Sequence, residues 1–316
     1  MRCTWSALLK TQVEKGNRMR ALSNIHSAQR MALLLGIALI VFQPFCASAG
    51  GQKSSEQEEP VVYVSIGPQR YLVQSIAGPR LRVEVLVQPG QDPHTFEPTP
   101  KQMTRLSRGE LYFRVGVAFE QSLIPRIRSS NPQLKIIDTQ AGIELREIEK
   151  GEEHGLDPHT WLSPLLAKRQ ARTIRDALIE ADPDGRGVYE AGYQSLAAEL
   201  DSLHEEITAA LASYRGQEIF VYHPAYGYFT DEYGLKQVAV ETGGSEPSAQ
   251  QLARLIERAR QRRVRIIFVQ PQFSRTGAEA VADAIGGVVV PLDPLAEDYV
   301  ENLREMARLI ADALGS

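Results

Sequence analysis

The chain has 316 residues, 43% of them hydrophobic, and its 39 acidic side chains outnumber 35 basic ones for a formal net charge of −4. That balance argues against a nucleic-acid partner, which needs a basic face. The only two cysteines, Cys3 and Cys46, lie near the start.

Met31 to Phe45 is an apolar run, preceded by Arg18, Arg20 and Arg30 and followed by Ala47-Ser48-Ala49. This reads as a secretory signal peptide over residues 1–49, cleaved after Ala49, with Met19 and Met31 as alternative starts. The run is shorter than the ~20 residues a membrane anchor needs. Lipidation at Cys46 is disfavoured, because Pro44-Phe45 precede it where a lipidated cysteine normally follows a small residue. Cleavage removes six basic residues, one acidic residue and both cysteines, leaving 29 basic against 38 acidic side chains and a net charge of −9. The mature chain then has no disulfide and no thiolate metal site.

Residues 50–60 are small, polar and charged and read as a flexible tether. From there strand and helix patterns alternate. Strands are predicted over Val61–Ile66, Arg82–Val87, Leu111–Val115 and Leu134–Ile137. Helices are predicted over Pro68–Ile76 and, behind the Thr99-Pro100 cap, Lys101–Ser107. Ile143–Leu156 reads as an acidic exposed loop, and Trp161 onward to Ala181 as a helix stopped by Asp182-Pro183-Asp184-Gly185.

Gly187–Tyr214 carries Leu196, Leu200, Leu203, Ile207 and Leu211 at three- and four-residue steps, which predicts one long amphipathic helix. Strands follow at Glu218–Tyr222, Arg265–Val269 and Val288–Leu292, with helices at Ser248–Arg260, Gly277–Ile285 and Tyr299–Leu314. The expected fold is α/β, with two lobes built on mostly parallel sheets and joined by one rigid helix. The lobes are 61–186 and 215–316, with 187–214 between them.

Asp-Pro-His-Thr occurs twice, at Asp92–Thr95 and Asp157–Thr160. His223-Pro224 and Asp293-Pro294 extend the series at intervals of 65, 64 and 70 residues from His94. Imidazole and carboxylate suit a borderline divalent cation such as Zn²⁺. Proline stiffens each loop, and His94, His223 and Asp293 each follow a predicted strand, where ligands collect in parallel sheets. His94, His159, His223 and Asp293 are therefore the candidate ligands of one interlobe cleft. Asp92, Asp157 and Glu97 are candidates for the shell behind the imidazoles. His154 is a candidate for accessory metal capture, with a plain surface loop as its alternative. His204 is expected on a solvated face of the long helix.

The stretches Pro89–Pro100, Asp157–Pro164, Tyr222–Phe229 with Tyr233–Leu235, and Leu292–Leu295 make the chain resemble the metal-binding solute-binding proteins of ABC importers, from about Val61 to Leu314. The resemblance implies two α/β lobes bridged by a long helix, with His94, His159, His223 and Asp293 as ligands. It also implies a monomeric periplasmic protein that hands its ion to a membrane permease, and it leaves room for a periplasmic metallochaperone as donor. A histidine at the third position, here His223, goes with the zinc-type members, where manganese-type members carry a carboxylate. One departure is the short, acidic 143–156 segment, which stands where many zinc members have a long His-rich loop. In some zinc members water or another carboxylate takes the place that Asp293 would fill.

Zn²⁺ is thus the expected cargo, with Mn²⁺ possible. The alternatives are a manganese- or iron-binding importer component, an adhesin of the same fold, or a zinc hydrolase. The last is disfavoured because no H-E-x-x-H or comparable signature is present, so no enzyme activity is expected. A single rigid helix should restrict hinge opening, which places release in a local movement of a ligand loop, with the loop around His223 or Ile143–Leu156 as candidates.

Overall fold

The structure is a computed structural model that describes residues 60–148, 155–241, 248–273 and 275–315. The predicted leader, all but the end of the tether, and His154 lie outside them. Two four-stranded parallel sheets form the frame. The first contains β1 (Val61–Val64), β2 (Arg82–Val85), β3 (Leu111–Arg114) and β4 (Lys135–Asp138), in the order β2-β1-β3-β4. The second contains β5 (Glu218–Val221), β6 (Lys236–Ala239), β7 (Ile266–Val269) and β8 (Val288–Pro291), in the order β6-β5-β7-β8. The two orders are the same, and every pairing is parallel. Central strands such as β3 are apolar on both faces, with Leu111, Tyr112 and Phe113 all buried. Helices cover a parallel sheet on both sides, so alternation disappears there.

The helices of the first half are α1 (Gly67–Ala77), α2 (Pro100–Leu106) and α3 (Glu120–Ser130). Thr99 caps α2 in a capping box with Gln102, behind proline at the first turn. Next come α4 (Pro164–Ala181) and the linking helix α5 (Arg186–Leu211). The second half adds α6 (Gly227–Tyr233), α7 (Ala249–Gln261), α8 (Thr276–Ile285) and α9 (Tyr299–Gly315).

The 26 residues of α5 span about 39 Å at ~1.5 Å per residue. Leu196, Leu200, Leu203, Ile207 and Leu211 are all buried along it, against α1, α4 and α9. Each such side chain contributes on the order of 1.5–3 kcal/mol over its exposed state. Gly192 lies in the same helix, where a Cβ would overlap the Ile76 carbonyl of α1. Glycine is required there by close approach rather than by backbone conformation.

Three elements differ from the sequence reading. The helix α3 forms although Pro125 lies inside it; Leu123 and Ile127 are buried and hold it. The pair α6 and β6 was not legible, because Gly227 and Gly234 punctuate a short aromatic run. In the fold Gly234 is the left-handed C-cap of α6. Gly227 makes room for the Arg146 guanidinium, which a Cβ would displace. Among the described residues no helix is long and apolar enough to cross a membrane.

Candidate metal centre

Every loop that carries a candidate ligand leaves the carboxyl end of a strand or continues from one. The segment after β2 turns at Gln88–Gln91 and delivers His94. Asp92 sets that turn. Its Oδ1 accepts the His94 backbone N–H at 2.9 Å, and its Oδ2 accepts the Thr95 hydroxyl at 3.1 Å. Asp92 therefore shapes the loop rather than backing the imidazole. Glu97 is exposed on the same loop.

The second copy of the motif works differently. Asp157 is buried, and its Oδ1 accepts both the His159 backbone N–H at 2.9 Å and Nδ1–H of the ring at 2.7 Å. Gln140 fixes the surrounding backbone by donating to the Pro158 carbonyl at 2.8 Å. Trp161 packs against the His159 ring at 5.2 Å between centroids.

His223 follows β5. Gln270 grips its backbone from both sides, accepting its N–H at 3.2 Å and donating to its carbonyl at 2.8 Å. The His223 Nδ1–H donates to Glu241 Oε1 at 2.6 Å, and both side chains are buried. Phe273 stacks on the His223 ring at 4.9 Å and 20°. Glu241 was missed in the sequence because β6 was missed. The signal was a carboxylate directly after the apolar pair Val238 and Val240.

These loops converge. One ring nitrogen from each of His94, His159 and His223 lies within 4.8 Å of the other two. His94 Nε2 and His223 Nε2 are 3.2 Å apart, close to the ~3.3 Å edge of a tetrahedron with ~2.0–2.1 Å metal–nitrogen bonds. A carboxylate on Nδ1 holds the proton there and leaves the Nε2 lone pair for a metal. This applies to His159 and His223. The cleft around them is small, about 30 Å³, and is lined by the three imidazoles with Trp161, Phe273 and Gln272.

Asp293 does not join the cluster. Its Oδ1 accepts from Gln272 Nε2 at 2.8 Å and from the Leu295 backbone N–H at 2.9 Å. The neighbouring Leu292 carbonyl accepts from the Tyr226 hydroxyl at 2.6 Å. Burial pushes that hydroxyl well above its ordinary pKa, and the charge of Asp293 adds to the effect, so it remains a neutral donor. His204 also lies outside the site. Contrary to the expectation of a solvated face, it is half-buried, with Nδ1 at 3.1 Å from Glu232 Oε1.

The two halves are fastened around the cleft. Trp161 Nε1–H donates to the Pro294 carbonyl at 2.8 Å, and the Tyr299 hydroxyl donates to the Trp161 carbonyl at 2.5 Å. The Tyr228 hydroxyl donates to the Asp157 carbonyl at 2.8 Å and accepts the Arg146 backbone N–H at 3.0 Å. Burial raises that hydroxyl's pKa to about 12. The Arg146 guanidinium bridges Asp157 at 3.3 Å and Asp231 at 3.1 Å. On the other wall, buried Glu120 accepts the Val115 and Gly116 backbone N–H groups at 2.8 and 2.7 Å, which sets the Val117–Ala118 lining. Burial raises the Glu120 pKa.

A model of the periplasmic zinc-uptake complex component A, ZnuA, matches residues 62–313. The chain belongs to the ZnuA family. It is 29% identical over 279 residues to a putative metal-binding protein of Chlamydia trachomatis, covering 87% of this chain and 98% of that one. It is 28% identical over 264 residues to the high-affinity zinc uptake protein ZnuA of Bacillus subtilis, covering 79% and 82%. A crystal structure of a ZnuA superposes with a TM-score of 0.77 at 42% identity, covering 81% of this chain and 99% of that one. A zinc-bound loop-deletion mutant of ZnuA gives the same TM-score and identity, covering 80% and 97%. As a member of the ZnuA family the chain is a periplasmic zinc-binding component of an ABC importer, not an enzyme.

Proposed function

We propose that His94, His159 and His223 hold one zinc ion in the cleft, each through Nε2, and that the loaded protein presents it to the importer's permease. The observation that carries this reading is the convergence of three ring nitrogens within 4.8 Å, two of them on imidazoles backed by buried carboxylates. Three imidazoles suit Zn²⁺ better than Mn²⁺, which prefers harder oxygen donors. Asp293, whose neighbours Pro294 and Leu295 line the cleft, and water are the two candidates for the fourth position. Asp157 and Glu241 fix the ring tautomers.

The cleft is lined by the three imidazoles, Trp161, Phe273 and Gln272, and its lining includes, among the described residues, no carboxylate placed as a general base, which suits a carrier rather than a hydrolase. The fastenings from Trp161, Tyr228 and Tyr299, together with the long α5, oppose wide opening of the halves. Release by local movement of a ligand loop follows from this, with the His223 loop as the candidate. Titration of the chelator-stripped mature chain with zinc tests the reading. One tight equivalent is the expected result, lost in His223→Ala and His159→Ala. Tight binding that survives both substitutions would overturn it.

A further inference from the structure

Gln272 lines the same cleft as the three imidazoles, while Asp293 does not. Its two amide atoms are treated differently by the fold. Nε2 donates to Asp293 Oδ1 at 2.8 Å. Oε1 is buried and has no hydrogen-bond partner among the described residues. A buried carbonyl oxygen left without a donor is costly, and such atoms concentrate where a ligand or water completes them. The segment that carries Gln272 is held in place on both sides, by Gln270 on the His223 backbone and by Phe273 on the His223 ring.

We propose that Gln272 is a specificity-determining residue of this site: it draws the Asp293 carboxylate off the ion, offers its own carbonyl to a metal-bound water, and thereby favours zinc over manganese. The inference rests on the three-imidazole reading above.

Charge bears on the choice of metal. Asp157 and Glu241 back two of the rings at 2.7 and 2.6 Å, and Arg146 bridges Asp157 and Asp231 at 3.3 and 3.1 Å. A coordinated Asp293 would add a further negative charge at the ion. It would also supply the hard oxygen that suits Mn²⁺. An amide donor that restrains Asp293 removes both effects, and water takes the vacated position with Gln272 Oε1 as its acceptor.

The test is competitive titration of the mature chain with Zn²⁺ and Mn²⁺, reading the ratio of the two dissociation constants. Gln272→Ala and Gln272→Asn, whose shorter amide does not reach Asp293, should each shift that ratio toward manganese by about tenfold. The shift should vanish when Asp293→Asn is added, because the effect runs through the carboxylate. An unchanged ratio in Gln272→Asn, with zinc binding and the thermal melt intact, would overturn the proposal. So would Asp293→Asn alone abolishing zinc binding to the extent that His223→Ala does. Failure of the underlying reading looks different: wild-type protein would not bind zinc tightly, or His223→Ala would bind it as well as wild type.

Discussion

Glu241 Oε1 lies 2.6 Å from Nδ1 of His223, and both side chains are buried. The contact joins the ends of two neighbouring strands of the second sheet and matches Asp157 with His159 in the first half. Each half of the molecule thus supplies an imidazole with its own carboxylate. Loss of such an outer partner typically costs ~10–100-fold in metal affinity. Glu241→Ala should fall at the upper end of that range and Glu241→Gln nearer the lower end, since the amide oxygen still accepts from Nδ1–H. A competing chromophoric chelator measures both. Unchanged affinity in Glu241→Ala would remove the carboxylate from the account.

A second expectation concerns the linking helix. Gly to Ala in a helix interior ordinarily stabilises by about 0.5–1 kcal/mol. At Gly192 the new Cβ would overlap the Ile76 carbonyl. Gly192→Ala should therefore destabilise, by about 1–3 kcal/mol as for other overpacked contacts. Urea unfolding of the zinc-free protein reads the sign, and a gain in stability would contradict the tight α1–α5 approach.

Asp182, at the junction of α4 and α5, accepts from Arg80 Nε at 2.5 Å and from the Tyr189 hydroxyl at 2.6 Å. The Arg80 hydrogen bond first, then that of Tyr189, holds its carboxyl well below the usual carboxylate range. A depressed folded pKa gives stability that is fully present above the unfolded value of about 4 and is lost as pH falls through the folded one. Asp182→Asn should lower the melting temperature of zinc-free protein at pH 7, with the gap to wild type closing toward pH 2. A gap that stays constant over that range would show that the effect is steric and not ionic.

The strands that deliver ligands were readable because buried parallel strands are short apolar runs ended by Asp-Pro, His-Pro or Pro-Gly. The span of α5 was readable because five leucine and isoleucine side chains from Leu196 to Leu211 hold one face for about four turns. What stayed hidden depends on neighbours distant in sequence. Gly227 looks like a breaker until Arg146 is seen to occupy the space beside it. The run containing Pro125 becomes a helix because Leu123 and Ile127 are buried. The doubled Asp-Pro-His-Thr treats its two aspartates alike, as partners behind the imidazoles, and the fold does not. Asp157 backs its imidazole, whereas Asp92 accepts from the His94 backbone N–H and the Thr95 hydroxyl. Glu241 and Gln272 are brought to the site by the sheet order, which no local pattern encodes.

The central claim is that three imidazoles share one zinc ion. X-ray absorption at the zinc edge of mature protein loaded with one equivalent tests it most directly. The account predicts a shell with three imidazole nitrogens at about 2.0–2.1 Å and one further light donor. A shell with one imidazole or none, dominated by oxygen, would contradict it.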